Sequence, residues 1–162
     1  MHSLFAKLTF GSLFAGILLS LMSGATAQAI DPGMGTWTLN PQKSRYKPGP
    51  AFASLVVKFE PSGEGVRMTN ELVNSWGGTI KSQYTAFYDG KDYPISGLPD
   101  IDTIALEKLE GGRVLRTDKK GGKVIQTFVR TVAADGKTMT ITQKGKSGDG
   151  PAYDNLIVLD KQ

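Results

Sequence analysis

Glycine pairs, Asp-Gly steps and Gly-Pro clusters interrupt this chain so often that no long helix fits between them. The interruptions are Pro61-Ser62-Gly63-Glu64-Gly65, Trp76-Gly77-Gly78, Asp89-Gly90-Lys91, Gly97-Leu98-Pro99-Asp100, Gly111-Gly112, Gly121-Gly122, Asp135-Gly136-Lys137 and Gly145 to Pro151. Asp-Gly and Gly-Gly supply the positive φ that tight hairpin turns require. The stretches between them are rich in Val, Ile, Thr, Tyr and Phe, side chains that suit a pleated, half-buried surface. The pattern predicts strands at about 35–39, 52–60, 65–74, 79–88, 92–96, 102–110, 113–119, 123–132, 137–144 and 152–160. Pro41 to Pro50 is the one long irregular stretch.

Alternation along the strands implies one buried and one wet face. Ala53, Leu55, Val57 and Phe59 oppose Ser54, Lys58 and Glu60, and Met139 and Ile141 oppose Thr138, Thr140, Thr142 and Lys144. Ile80, Ser82, Tyr84, Ala86 and Tyr88 share a face, while 123–132 is two-sided, with Val124, Phe128 and Val132 against Ile125 and Val129. Consecutive short strands joined by hairpins form a meander, and closing a meander removes its exposed edges. The expected architecture is all-β: a single antiparallel up-and-down barrel of about 8–10 strands.

The first residues read as an export signal. Lys7 precedes an apolar run from Leu8 to Met22, and Ala25-Thr26-Ala27 and Ala27-Gln28-Ala29 offer small-residue cleavage sites. The run is 15 residues long, shorter than the roughly 20 of a spanning helix. Residues 1–29 are therefore read as a signal peptide and 30–162 as the barrel domain, exported to the periplasm or the medium, with no transmembrane segment in the mature chain. Loss of Lys7 lowers the formal net charge from +4 to +3. With export, that small charge argues against a nucleic-acid partner.

The chain has no Cys, and its one His is His2, so the mature protein lacks the commonest general base, the commonest metal ligand and the best nucleophile. The expectation is a protein that is not an enzyme and uses no metal or cofactor. Asp100 and Asp102 lie close together near a turn, without further carboxylates at calcium-loop spacing, and are read as turn caps. Ser44-Arg45-Tyr46-Lys47 and Lys146-Ser147-Gly148 match fragments of the penicillin-recognising motifs. No Ser-x-Asn element lies between them, and the chain is too small and strand-rich for that fold, so both are read as loop residues.

Gly35-Thr36-Trp37 opens the first strand, and about ten hairpin-linked strands follow. This resembles the lipocalin and fatty-acid-binding protein group, whose first strand carries Gly-x-Trp. The longer stretch from Gly35 to Tyr46, followed by Pro48-Gly49-Pro50, is similar to small exported bacterial barrel proteins of uncharacterised function. The lipocalin resemblance implies that Trp37 plugs a closed barrel end under an Arg from a late strand, for which Arg130 is the candidate; Trp37 as a ligand platform is the alternative. The chain has neither the late Thr-Asp-x-x-Tyr turn of lipocalins nor the terminal Arg-x-Tyr of the fatty-acid-binding group. Its three prolines in 40–51 exclude that group's helical lid.

Two kinds of site are expected. Tyr84, Tyr88, Phe128, Arg130, Tyr153 and Asn155, with Trp37, are the mixed aromatic and polar residues suited to a pocket for a small hydrophobic or amphipathic ligand. Arg113, Arg116, Lys119, Lys120 and Lys123, opposed only by Asp118, form a basic hairpin that is either a solvated edge or a contact for an anionic envelope surface. A hollow monomeric barrel holding a lipid-like ligand and a filled barrel acting through its surface, as an interaction or inhibitor protein, both fit the pattern. An enclosed apolar cavity of about 300 Å³ or more separates the first from the second, and without it the surface-acting reading leads. On the export reading, intact-mass measurement of protein from the native host should find a chain starting at Gln28 or Ile30; a soluble pool that retains Met1 would contradict it.

Overall fold

A computed structural model describes residues 31–146 and 150–162. The leader read over 1–29 and the Ser147-Gly148 part of the Lys-Ser-Gly match lie outside the described residues. Ten strands follow one another: β1 (Gly35–Leu39), β2 (Ser54–Ser62), β3 (Gly65–Val73), β4 (Thr79–Ala86), β5 (Tyr93–Ser96), β6 (Thr103–Lys108), β7 (Val114–Lys120), β8 (Lys123–Val132), β9 (Thr138–Lys146) and β10 (Ala152–Lys161). A three-residue 3-10 turn, Glu110–Gly112, joins β6 to β7. Every strand pairs antiparallel with its sequence neighbours, and β1 closes the ring against β10 through Trp37↔Lys161, Thr38↔Asp160 and Leu39↔Leu159. The all-β, up-and-down, closed barrel expected from the turns is the one found. Among the described residues no helix is long and apolar enough to cross a membrane.

The alternating side chains set the core. Leu55, Val57 and Phe59 from β2 and Val66 and Met68 from β3 are buried, as are Tyr84, Ala86, Ile104, Leu106, Met139, Ile157 and Leu159 from later strands. Trp37 is fully buried. Burying such a side chain contributes roughly 1.5–3 kcal/mol, and it fixes β1 against its neighbours. Strand 123–132 departs from simple alternation because its register against β7 slips between Asp118↔Gln126 and Lys119↔Val124, leaving Ile125 as an extra residue. Ile125 packs on the core and Val124 stands exposed, so Val124 does not share a side with Phe128 and Val132, where simple alternation groups it.

The barrel has two unlike ends. At one, the residues before β1 fold under the barrel, and the β2–β3, β4–β5, β6–β7 and β8–β9 turns surround them. At the other, residues 40–53 cross the mouth without a helix. There Arg45 makes a lone antiparallel bridge to Leu156, Tyr46 meets Phe52 edge-on with ring centroids 5.1 Å apart, and both rings pack on the core. Trp76, in the β3–β4 turn, is 80% exposed. The wall is thinnest at β5, which forms two register pairs with β4 and two with β6 and carries Pro94, a residue without a backbone N–H.

Gly97, in the β5–β6 turn, has φ +86°, and a Cβ there would lie 1.8 Å from the Lys81 carbonyl oxygen. Gly77 has a similar φ of +83° but open space around it. Urea denaturation should therefore show Gly97→Ala losing about 1–3 kcal/mol, more than Gly77→Ala, where only the backbone conformation is strained.

Candidate functional site

Arg130 and Asp31 form a buried ion pair at the closed end, with side chains 9% and 6% exposed and Nη2 donating to Oδ2 at 2.5 Å. The Tyr88 hydroxyl donates to the same carboxylate oxygen, and the Gly33 N–H donates to Oδ1 at 2.8 Å. The guanidinium stacks over Phe59, 4.5 Å from the ring centroid. Gly33 is needed where it stands, because a Cβ would lie 1.6 Å from Arg130 Nη1. Nη1 itself is buried with no hydrogen-bond partner among the described residues. The Trp37 indole N–H donates to the Gly33 carbonyl at 2.7 Å, so the same turn anchors both side chains.

This corrects the partner expected for Arg130. Its positive charge is met by Asp31, not by the Trp37 face. The cation over Trp37 is Lys161, with Nζ 5.2 Å from the ring centroid. Trp37 does occupy the closed end, fully buried, as the resemblance implied.

Burial acts to raise the Asp31 pKa, but the Arg130 charge and the hydrogen bonds from Tyr88, Arg130 and Gly33 outweigh it and hold the carboxyl below the ordinary aspartate value. Tyr88 is pushed up, first by burial and then by the hydrogen bond its hydroxyl donates to Asp31. Tyr84 and Tyr153 are raised chiefly by burial too. All three phenols therefore stay neutral over the physiological range.

A second polar group runs across the inner wall of β7 to β10. Arg116 grips Asp118 with two bonds, Nε to Oδ1 at 2.6 Å and Nη2 to Oδ2 at 2.8 Å. Gln126 Nε2 donates to Asp118 Oδ2 at 2.8 Å. Gln126 Oε1 accepts from Gln143 Nε2 at 2.9 Å and from the Tyr153 hydroxyl at 2.6 Å. Gln143 Oε1 accepts from Asn155 Nδ2 at 3.1 Å, and Asn155 Oδ1 accepts the Lys47 N–H from the mouth loop at 3.0 Å. The chain of bonds is continuous because each residue sits one strand along at adjoining register, as in Asp118↔Gln126 and Gln143↔Asn155. Asp118 is fully buried, and the Arg116 guanidinium lies between two rings, 5.2 Å from Tyr84 and 4.9 Å from Phe128.

Between the closed end and the mouth lies a cavity of about 230 Å³. Leu55, Val57, Phe59, Met68 and Leu72 line one side; Arg116, Gln126, Phe128, Arg130 and Gln143 line the other. The volume falls short of the 300 Å³ set as the mark of a hollow barrel. It is also far larger than a packing void, since it matches roughly seven or eight waters.

Of the seven residues expected around a pocket, Tyr84, Phe128 and Arg130 line the cavity. Tyr153 and Asn155 join it indirectly, as partners of Gln126 and Gln143. Tyr88 supports Arg130 from the closed end, and Trp37 lies below it. The basic hairpin is not one surface. Arg116 points inward; Lys119 pairs with Asp92 at 2.6 Å and Lys120 with Asp102 at 2.8 Å. Arg113 donates to the Glu110 carbonyl at 3.1 Å and, like Lys123, is exposed. Asp102 also accepts the Gly121 N–H at 2.8 Å, which ties it to the β7–β8 turn. Ser44 is buried, donating to the Asn40 carbonyl at 2.8 Å and accepting from Val158 N at 3.0 Å, while Lys47 is exposed. Among the described residues no group of three or more His, Cys, Asp or Glu is placed to hold a metal ion.

Asp31, Gln126 and Gln143 were not singled out from the sequence. For Gln126 and Gln143 a signal existed: each is a polar residue at the alternation of a buried face, beside Phe128 and Ile141.

No protein-family model matches the chain, and no curated protein matches it. Among solved structures it is similar to zebrafish ileal bile acid-binding protein complexed with cholic acid, at 12% identity and a TM-score of 0.47, over 81% of this chain and 99% of that one. The barrel assignment stands on the strand pairing described above.

Removing one partner of a buried pair strands the other charge, so Arg130→Ala should lower stability by about 3–5 kcal/mol in urea titrations, and adding Asp31→Asn should recover part of the loss. Because the folded-state pKa of Asp31 is depressed, its contribution is present above the usual aspartate range and is lost as pH falls through the folded value. The parent protein should thus lose stability below about pH 4 more steeply than Asp31→Asn.

Proposed function

We propose that this protein is an exported carrier or receptor that holds a small amphipathic molecule inside its barrel. The observation that carries the reading is the cavity, apolar on the β2–β3 side and hydrogen-bonding on the β7–β9 side. A barrel built only as a scaffold fills its interior with side chains to native density. Here Arg116 and Gln126 occupy interior positions instead, at the cost of burying polar groups, and they do so beside open space. A two-sided wall of this kind suits a ligand with a polar head and a short apolar body. Its size favours a compact molecule over a long acyl chain.

The leader-like residues 1–29 support export, with the ligand met in the periplasm or the surrounding medium. The Ser82 hydroxyl in the lining is tied to Asn70 and burial keeps Tyr84 neutral, which supports reading the wall as a binding surface. The filled barrel acting through its surface is less well supported, because its interior would need to close on itself.

An apolar fluorophore such as Nile red should brighten on addition of the protein and be displaced by small amphiphiles. Val57→Phe should reduce that binding at least about tenfold, since Val57 lines the cavity. The new ring would enter existing space, so its stability cost should fall below the ~1–3 kcal/mol usual for overpacking. A parent protein that binds no apolar probe, or a Val57→Phe variant that binds as well as the parent, would overturn the reading.

A further inference from the structure

The cavity's ionisable lining carries two guanidinium groups, and each already has its own carboxylate. Arg116 is held by Asp118 through two bonds and Arg130 by Asp31 through one, with all four side chains at most 16% exposed. The third ionisable group on the wall is Tyr84, which burial keeps neutral. The interior therefore offers an incoming ion no net charge. An anion entering it would shed water without gaining a free counter-charge.

The hydrogen-bond inventory adds a second constraint. Asp118 spends both oxygens on Arg116 and Gln126. Gln126 Oε1 takes two donors, and Gln143 Oε1 takes Asn155. A carboxamide has two N–H groups and a guanidinium five, and only some of these are used. What Arg116, Gln126 and Gln143 have left to offer is N–H. Across the cavity, Asn70 Oδ1 is likewise spent on Ser82 N–H and O–H, at 3.0 and 2.5 Å.

We propose that the site selects an uncharged amphiphile whose head is a hydrogen-bond acceptor, of the ester or ketone class, with its carbonyl on the Arg116–Gln126–Gln143 wall and its apolar body against Val57 and Met68. This rests on the reading of the cavity as a ligand site and names the ligand's chemistry. The Arg116–Asp118 pair then acts as a neutral donor, and the amides beside it set the head group's place.

Calorimetric titration of the full mature chain with methyl octanoate and with octanoate, two probes of nearly equal size that differ in charge, tests this. The ester is expected to bind at least about tenfold tighter. Equal or tighter binding of octanoate would overturn the proposal while leaving the ligand-site reading intact. Absence of binding by either probe, together with failure to displace Nile red, would overturn both. Asp118→Asn, which leaves Arg116 without its carboxylate, should shift the preference toward octanoate. An unchanged preference in a folded Asp118→Asn protein would overturn the charge argument. Should that variant fail to fold, the comparison of the two probes on the parent protein decides alone.

Discussion

A guanidinium inside a closed barrel must have a carboxylate beside it, and this protein meets that demand twice. At the closed end the carboxylate comes from Asp31, ahead of the first strand, and reaches Arg130 across 99 positions of sequence. Around that contact the Gly33 turn, the Trp37 indole, Tyr88 and the Phe59 ring are all fixed. At mid-barrel the partner is local: Arg116 and Asp118 share a face of β7 two residues apart. The first pair ties the chain's beginning to its eighth strand. The second gives the interior a polar wall that the mouth loop then joins through Lys47 and Asn155.

These two devices divide the interior by role. The closed end is crowded and committed to stability, since Arg130 there is paired, stacked and pressed against a glycine. The open space lies above it, where apolar strands face the amides of β8 and β9. Polar residues on a buried face weaken a core unless each finds a partner, and here the partners run in unbroken order from Arg116 to the Lys47 backbone.

Much of this architecture was readable from local chemistry. The β1 and β8 boundaries coincide with the expected 35–39 and 123–132, because Gly-rich turns and β-branched runs act over a few residues. Most other ends move by one or two residues, most visibly at β2, where Phe52 leaves the strand and turns into the cavity. The ligand-facing chemistry was less legible. Charge clustering put Arg116 on a solvated hairpin, although its alternation with Val114 and Asp118 places it inside. The tie between Arg130 and Asp31 had no local signal, since it depends on how the segment before β1 folds under the barrel. The bulge at Ile125 also reversed the expected side of Val124, as one inserted residue exchanges the two faces of a strand.

The narrow pairing of β5 bears on how the wall breathes. A strand held by two register positions on each side, with a proline among its four residues, has few cooperative hydrogen bonds to lose when it parts from its neighbours. Elsewhere the ladders are longer, as in the nine register pairs between β9 and β10. Transient opening on the native side of the folding barrier should therefore concentrate at β4–β5–β6, with amides there exchanging with solvent ahead of those in β8 to β10. Ile95 of that strand is registered opposite Tyr84, whose ring lines the cavity. The least secured part of the wall thus adjoins the interior space.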